Sequence, residues 1–296
     1  MTTMEARTMG DVSGERRLRR RRTTSRSLAT TIVTAIVWLL ACAWMFPALW
    51  FLLSSFKPGS ELFSYPLTLF PKHWTFSGYV TAWERFSFAR YVLNTSVVAV
   101  VTTFLTVIVS AATGYAFARY TNWWLRWFFV GILITTMLPT EVIMPSTFRV
   151  ILDLGLYNSL AGIILPSVMT ATGVFMFRQY FSTVPSELAE AARIDGAGEF
   201  KIFWQIMLPL ARPIAATLAI FSFHWRWNDY IWPLIVLNDP KNYTLQVALR
   251  SIVGADNINW SVLLSASIIS LIPMVALFIA FSPQIMNANM NSGLKD

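Results

Sequence analysis

Long apolar segments alternate with short polar ones along the chain, at residues 28–53, 91–117, 124–147, 160–177, 213–237 and 260–281. About 20 apolar residues cross the hydrocarbon core of a bilayer as a helix. A span in lipid must satisfy its own backbone groups, which a helix does. The pattern therefore predicts an all-α, polytopic membrane protein with six transmembrane helices. The fourth segment is the shortest and the fifth the most polar. Trp and Tyr near several segment ends fit an interfacial belt. No internal repeat stands out. Two polar regions break the alternation: a tail at 1–27 and a loop at 178–212, far longer than a turn between neighbouring helices.

The loop reads as two short helices with a built stop between them. Pro185 and Ser186 suit a first turn, and 187–193 are mostly strong helix formers. Glu187 and Glu190 near the start and Arg193 near the end complement the helix dipole. Asp195-Gly196 ends the helix, because glycine enters the left-handed region at no steric cost. A second helix is expected from about 198 to 207, with Phe200, Phe203 and Trp204 on one face packing it back onto the body. Pro209 and Pro213 are expected to close the unit. Slim alanines on the first helix suit a groove, and Glu190, Arg193, Asp195 and Lys201 offer charge at its rim. The loop is thus either a docking element or a helix pair that shields the bundle.

Composition agrees with a membrane protein: of 296 residues 55% are hydrophobic and 13% charged, against about 25% charged in soluble domains. The net charge of +8 does not point to nucleic acid, because eight of the 23 Lys and Arg sit in the tail before the first span. Basic residues there orient a span and attract anionic lipid. With the N-terminus inside, fifteen Lys/Arg fall in cytoplasmic segments and seven in outer ones. That bias places both termini and the 178–212 loop in the cytoplasm. The first apolar segment is too long for a cleaved signal and lacks a small-residue cleavage site. Cys42 is the single cysteine, so no intrachain disulfide forms. There is no G-x-x-x-x-G-K-[ST] and no H-E-x-x-H, and one Cys with two His leaves little for a metal. No catalytic and no metal-binding residues are assigned, and any ATP hydrolysis must occur on another subunit.

Ionisable groups inside a span are costly and mark function or pairing. The fifth span holds His224, Arg226, Asn228 and Asp229. Trp225, Asn228 or Asp229, and Trp232 would share one helical face, and aromatic rings beside amide or carboxylate acceptors suit a sugar. The alternative is that Arg226 and Asp229, three residues apart, neutralise each other. Glu141, between Pro139 and Pro145, either lines a pathway or sits at the span boundary. Asn158 and Ser159 read as the N-cap of the fourth span. The candidate substrate pathway is therefore Glu141, Trp225, Asn228, Asp229 and Trp232.

Glu190-Ala191-Ala192-Arg193-Ile194-Asp195-Gly196-Ala197, a spacer, and Ile206-Met207-Leu208-Pro209 resemble the EAA loop of the membrane subunits of bacterial ABC importers. Phe56-Lys57-Pro58, Asn94-Thr95-Ser96, Gly155-Leu156-Tyr157-Asn158 and the run from Trp227 to Leu234 resemble the carbohydrate branch, closest to six-helix permeases of the maltose-importer type. The C-terminus departs from that branch: Lys295 is kept, but the basic, Gly-rich ending is not. The resemblance implies a type I importer permease fold over 28–296, in the bacterial inner membrane. It implies that Glu190, Ala191, Ala192, Arg193, Asp195, Gly196, Ala197 and Pro209 couple to an ATPase. The implied partners are a second permease subunit, an ATPase subunit dimer, a soluble substrate-binding protein, the lipid bilayer and a sugar-type small molecule. No cofactor is expected on this chain, with ATP and Mg held by the partner ATPase. The competing readings are a stand-alone ion-coupled transporter, which should show repeats and matched broken helices, and a membrane-embedded enzyme or assembly factor.

Overall fold

The computed structural model describes the backbone of residues 6–85, 87–120, 122–254 and 258–293, and side chains between 30 and 281 apart from residue 85. The side chains of the basic tail and of the atypical C-terminal stretch lie outside the described residues. The described residues are helical without a strand. They form two compact units, 1–74 and 75–296.

The first unit begins with α1, Ala6–Ser54. Its stretch Thr30–Ser54 is apolar on all sides and long enough to cross a membrane, as expected of a lipid span rather than a surface helix. The one-turn α2, Gly59–Leu62, follows. Glu61 braces the segment behind it: its carboxylate accepts from the Lys72 N–H at 2.8 Å and the Thr68 hydroxyl at 3.2 Å. The Lys72 N–H holds that carboxyl below the usual carboxylate range. Lys57 donates to the Thr68 carbonyl. This accounts for the lysine of Phe56-Lys57-Pro58, whose ammonium ties down an otherwise irregular loop.

The second unit opens with α3, Ser77–Arg85, and α4, Phe88–Arg119. At 32 residues, α4 is about 48 Å long, and α3 and several later helices pack on it. Its buried positions include Thr95, Thr102, Thr106, Ser110, Ala111 and Gly114. Small side chains of this kind let membrane helices approach closely.

The third apolar segment is not one helix. α5, Trp123–Thr135, and α6, Thr140–Asp153, meet at 111°. Pro139 is the N-cap of α6; it supplies no N–H and forces the preceding residue out of the helical region. The fourth segment is α7, Leu160–Ile164, a 3-10 turn Leu165–Ser167, and α8, Ala171–Thr183, bent by 40°. Ser159 caps α7 by accepting from the Gly162 N–H, as expected, and Thr170 caps α8 through the Gly173 N–H. Asn158 does something else: its Oδ1 accepts from the N–H groups of Asn238 and Asp239. Thr106 of α4 donates to the Ser167 carbonyl that the break exposes.

The loop contains α9, Glu187–Ile194, then α10, Glu199–Ile202, a π turn Phe203–Met207, and α11, Leu208–Leu210. The second helical run therefore passes Pro209 and ends at Ala211. The wider π turn gives the Pro209 ring room against the carbonyl four residues back. α12, Arg212–Trp227, leaves at 77°, with Pro213 tolerated in its first turn. α12 stops at Asn228, and α13, Ile231–Val236, resumes beyond it, so the fifth span is broken where a continuous 213–237 helix was expected. α14, Leu245–Val253, and α15, Trp260–Gly293, complete the chain. Among the described residues, three helices are long and apolar enough to cross a membrane alone, and up to six spans result when each bent pair counts as one.

The knob and the cleft

The chain from α9 to α11 folds as a knob around the end of α4. Gly196 adopts φ +80°, and the Ala197 N–H reaches the Ala192 carbonyl at 2.9 Å while the Gly196 N–H reaches that of Arg193 at 3.0 Å. This is a Schellman stop. It turns Ala192 and Ala197 inward onto a core of Tyr115, Phe177, Phe181, Ala189, Phe203 and Met207. The Tyr115 ring lies 5.6 Å from both Phe181 and Phe203.

Glu199 is the knob's electrostatic hub, and nothing in the linear pattern marked it. Its Oε1 pairs with Arg193 at 2.6 Å. Its Oε2 accepts from Tyr120 at 3.1 Å and Tyr115 at 3.4 Å. Arg119 donates to the Val184 carbonyl at 2.9 Å. The last turn of α4 thus grips both the entry to the knob and its middle. The half-exposed ion pair contributes little, because water screens it; the packed aromatic core carries more of the stability.

The Arg193 guanidinium holds the Glu199 carboxyl below its ordinary value of 4.5, and that carboxylate raises Arg193. A carboxyl with a depressed folded pKa stabilises above its unfolded pKa and loses that contribution as pH falls through the folded one. Hydrogen exchange at 187–199, corrected for intrinsic rates, is therefore expected to show constant protection above about pH 4.5 and loss below it. In Glu199→Gln the acid-dependent step should vanish.

Of the coupling residues expected from sequence, Glu190, Ala191, Arg193, Asp195 and Gly196 are exposed, and Ala192, Ala197 and Pro209 half-buried. Arg193 turns inward to Glu199. Phe200 is a correction: it is 78% exposed rather than packed back, because Ile202, Phe203 and Met207 supply the buried face. Ile194 is 87% exposed. The knob presents uncovered apolar side chains on a rigid frame.

The second candidate site is a cleft of about 420 Å³ lined from α6, the break before α8, and the break between α12 and α13. Trp225, Asp229 and Trp232 line it together with Arg226, Ser167 and Thr170. Arg226 Nη1 donates to the Ser167 hydroxyl at 2.9 Å and lies 3.4 Å from Asp229. Trp232 is anchored by its indole N–H on the Gly162 carbonyl at 3.2 Å. Asn228 is not among the lining residues: it donates to the His224 carbonyl at 3.0 Å and accepts from Gln246. Glu141 is exposed on the first turn of α6 and is likewise absent from the lining. Ser167, Thr170, Thr140 and Thr147 were missed, since isolated hydroxyls in apolar segments carry no period.

A broken-helix bundle with a polar cleft among its spans and a folded, apolar-tipped knob is the architecture of a transport permease. The family model for the binding-protein-dependent transport system inner membrane component matches residues 110–288, and the chain belongs to that family. It is 34% identical over 266 residues to the arabinooligosaccharides transport system permease protein AraQ of Bacillus subtilis, covering 89% of this chain and 95% of that one. It is 35% identical over 239 residues to the sn-glycerol-3-phosphate transport system permease protein UgpE of Agrobacterium fabrum, covering 78% and 85%. The fold matches a bacterial ABC transporter involved in the import of the acidic polysaccharide alginate, with TM-score 0.79, 23% identity, and 88% and 97% covered. The chain is accordingly an inner-membrane permease subunit of an ABC importer, with the type I permease fold, and not an enzyme. Such a subunit works with an ATPase, a second permease and a substrate-binding protein.

Proposed function

We propose that this chain forms half of the translocation path for a sugar or sugar derivative and receives the motion of an ATPase dimer through 187–197. The observation that carries the reading is the knob: its apolar tip is uncovered, and its frame is clasped to α4, on which six other helices of the second unit pack. Glu190, Ala191, Ala192, Arg193, Asp195, Gly196 and Ala197 form the contact and its stop, and Pro209 shapes the return to α12. Trp225, Asp229 and Trp232 form the cargo-facing wall, with Asn228 and Glu141 at its margins. Relatives named for arabinooligosaccharides and for sn-glycerol-3-phosphate support a small, hydroxyl-rich cargo.

In this reading 1–27 is a cytoplasmic basic tail, 28–296 is the permease domain, and both termini and the knob face the cytoplasm, as the charge bias supports. ATP and Mg bind on the ATPase and supply the closing motion there. The knob moves with it, and α4 carries the displacement. The far end of α4 holds the opposite loop, where Asn94 donates to the Lys241 and Tyr243 carbonyls at 3.0 Å each and Thr95 accepts from the Leu245 N–H at 2.8 Å. That loop would meet the cargo-loaded binding protein.

Ile194→Cys, in a Cys42→Ser background, is expected to cross-link to the ATPase with a short bifunctional thiol reagent and to lose cross-linking when nucleotide changes the dimer. Efficient labelling of the introduced thiol by an impermeant reagent added outside intact cells would refute the orientation and the coupling role together.

A further inference from the structure

The charge balance of the cleft says which cargo it takes, provided the cleft is the cargo path proposed above. We infer that it selects uncharged polyhydroxyl rings and turns anionic ones away, with Arg226 and Asp229 as the specificity-determining pair. Both side chains line the cleft, and they show 18% and 19% of their surface. No other lining residue is ionisable. The site therefore has fixed donors and fixed acceptors but no net charge.

Ser167 accepts from Arg226 at 2.9 Å, and the Asp229 carboxylate lies 3.4 Å from the same guanidinium. Both side chains are more than four-fifths covered, so neither swings freely aside for a ligand of its own sign. The guanidinium has five N–H donors and the carboxylate about four acceptor sites, so both keep capacity after pairing. A hydroxyl can accept from Arg226 and donate to Asp229. The Thr140, Thr147 and Thr170 hydroxyls offer further partners, and Trp225, 51% exposed, offers a face for the C–H side of a ring. A carboxylate or phosphate finds its one cation already compensated and a fixed negative charge beside it. Repulsion of this kind excludes a ligand as effectively as attraction admits one, and weak solvent screening strengthens it.

The test compares two ligands that differ by one carboxylate on the same ring, methyl α-glucopyranoside and methyl α-glucuronide. Equilibrium binding is measured by saturation-transfer NMR on the assembled importer, this chain with its second permease and ATPase. The neutral glycoside is expected to bind at least about tenfold more tightly. Asp229→Asn leaves Arg226 unopposed and should shrink or invert that ratio, whereas Arg226→Gln should widen it. Equal or tighter binding of the glucuronide to the unmodified complex overturns the inference without needing a variant. An unchanged ratio in Asp229→Asn also overturns it, leaving the pair as mutual neutralisation only. Binding of neither ring refutes the sugar reading itself, a distinct failure.

Discussion

Replacing Gly196 with valine is expected to leave the importer assembled while cutting ATP-driven uptake at least tenfold. No atom lies within 4 Å of where a Cβ would stand, so packing does not object. The backbone does, because φ is +80°. A β-branched residue in that region is a conformational outlier, at a cost of about 1–3 kcal/mol. The chain can relieve the strain only by giving up the two stop bonds to the Ala192 and Arg193 carbonyls. Ala197 then leaves the core, and α9 loses its fixed angle to α10. The knob remains attached through Tyr115, Phe203 and Arg119, so co-purification with the ATPase should persist. Transmission needs the angle, not only the attachment. Gly196→Asn should fall much less, since asparagine tolerates the left-handed region. Uptake in proteoliposomes, with co-purification as the control, checks both; wild-type uptake by the valine variant would sink the coupling role of this turn.

Gly114→Leu is expected to do the opposite and prevent assembly. A Cβ there would stand 2.6 Å from the Phe177 Cβ and 2.8 Å from the Arg178 backbone nitrogen. Backbone cannot rotate away as a side-chain tip can, so α4 and α8 must separate. Overpacking of this kind costs about 1–3 kcal/mol, which at about 2–4 °C per kcal/mol lowers the melting midpoint by roughly 2–12 °C. It also opens the core that seats the knob. Gly131 has nothing within 4 Å, so Gly131→Leu is the matched control and should melt with the parent. A thermal shift in detergent reads both, and equal midpoints would mean the α4–α8 crossing is not the close contact described.

Sequence periodicity revealed the apolar segments but not their breaks. Segments 124–147, 160–177 and 213–237 read as continuous because hydropathy averages over a window, whereas Pro139, the turn through Pro166, and the stop of α12 at Asn228 act at single residues. Gly196 was legible, since Asp-Gly after a run of helix formers has one local explanation. The cleft was half legible. Trp225, Asp229 and Trp232 do converge, but through a break and not along one helical face, and that same break turns Asn228 toward His224 and Gln246. Glu199 and the hydroxyl of Ser167 could not be found, because their partners lie on other elements: Tyr115 and Tyr120 for one, Arg226 for the other. Phe200 was misjudged because its i, i+3, i+4 spacing is shared by the exposed and buried faces once a π turn shifts the phase.

The clasps at the two ends of α4, about 38 Å apart, share one property: Asn94 and Arg119 both bond main-chain oxygens, those of Lys241, Tyr243, Val184 and Pro185. Every residue type carries such an oxygen. The side chains at those four positions are thus free to diverge to suit a different receptor or motor, while the mechanical linkage between the two faces is inherited unchanged.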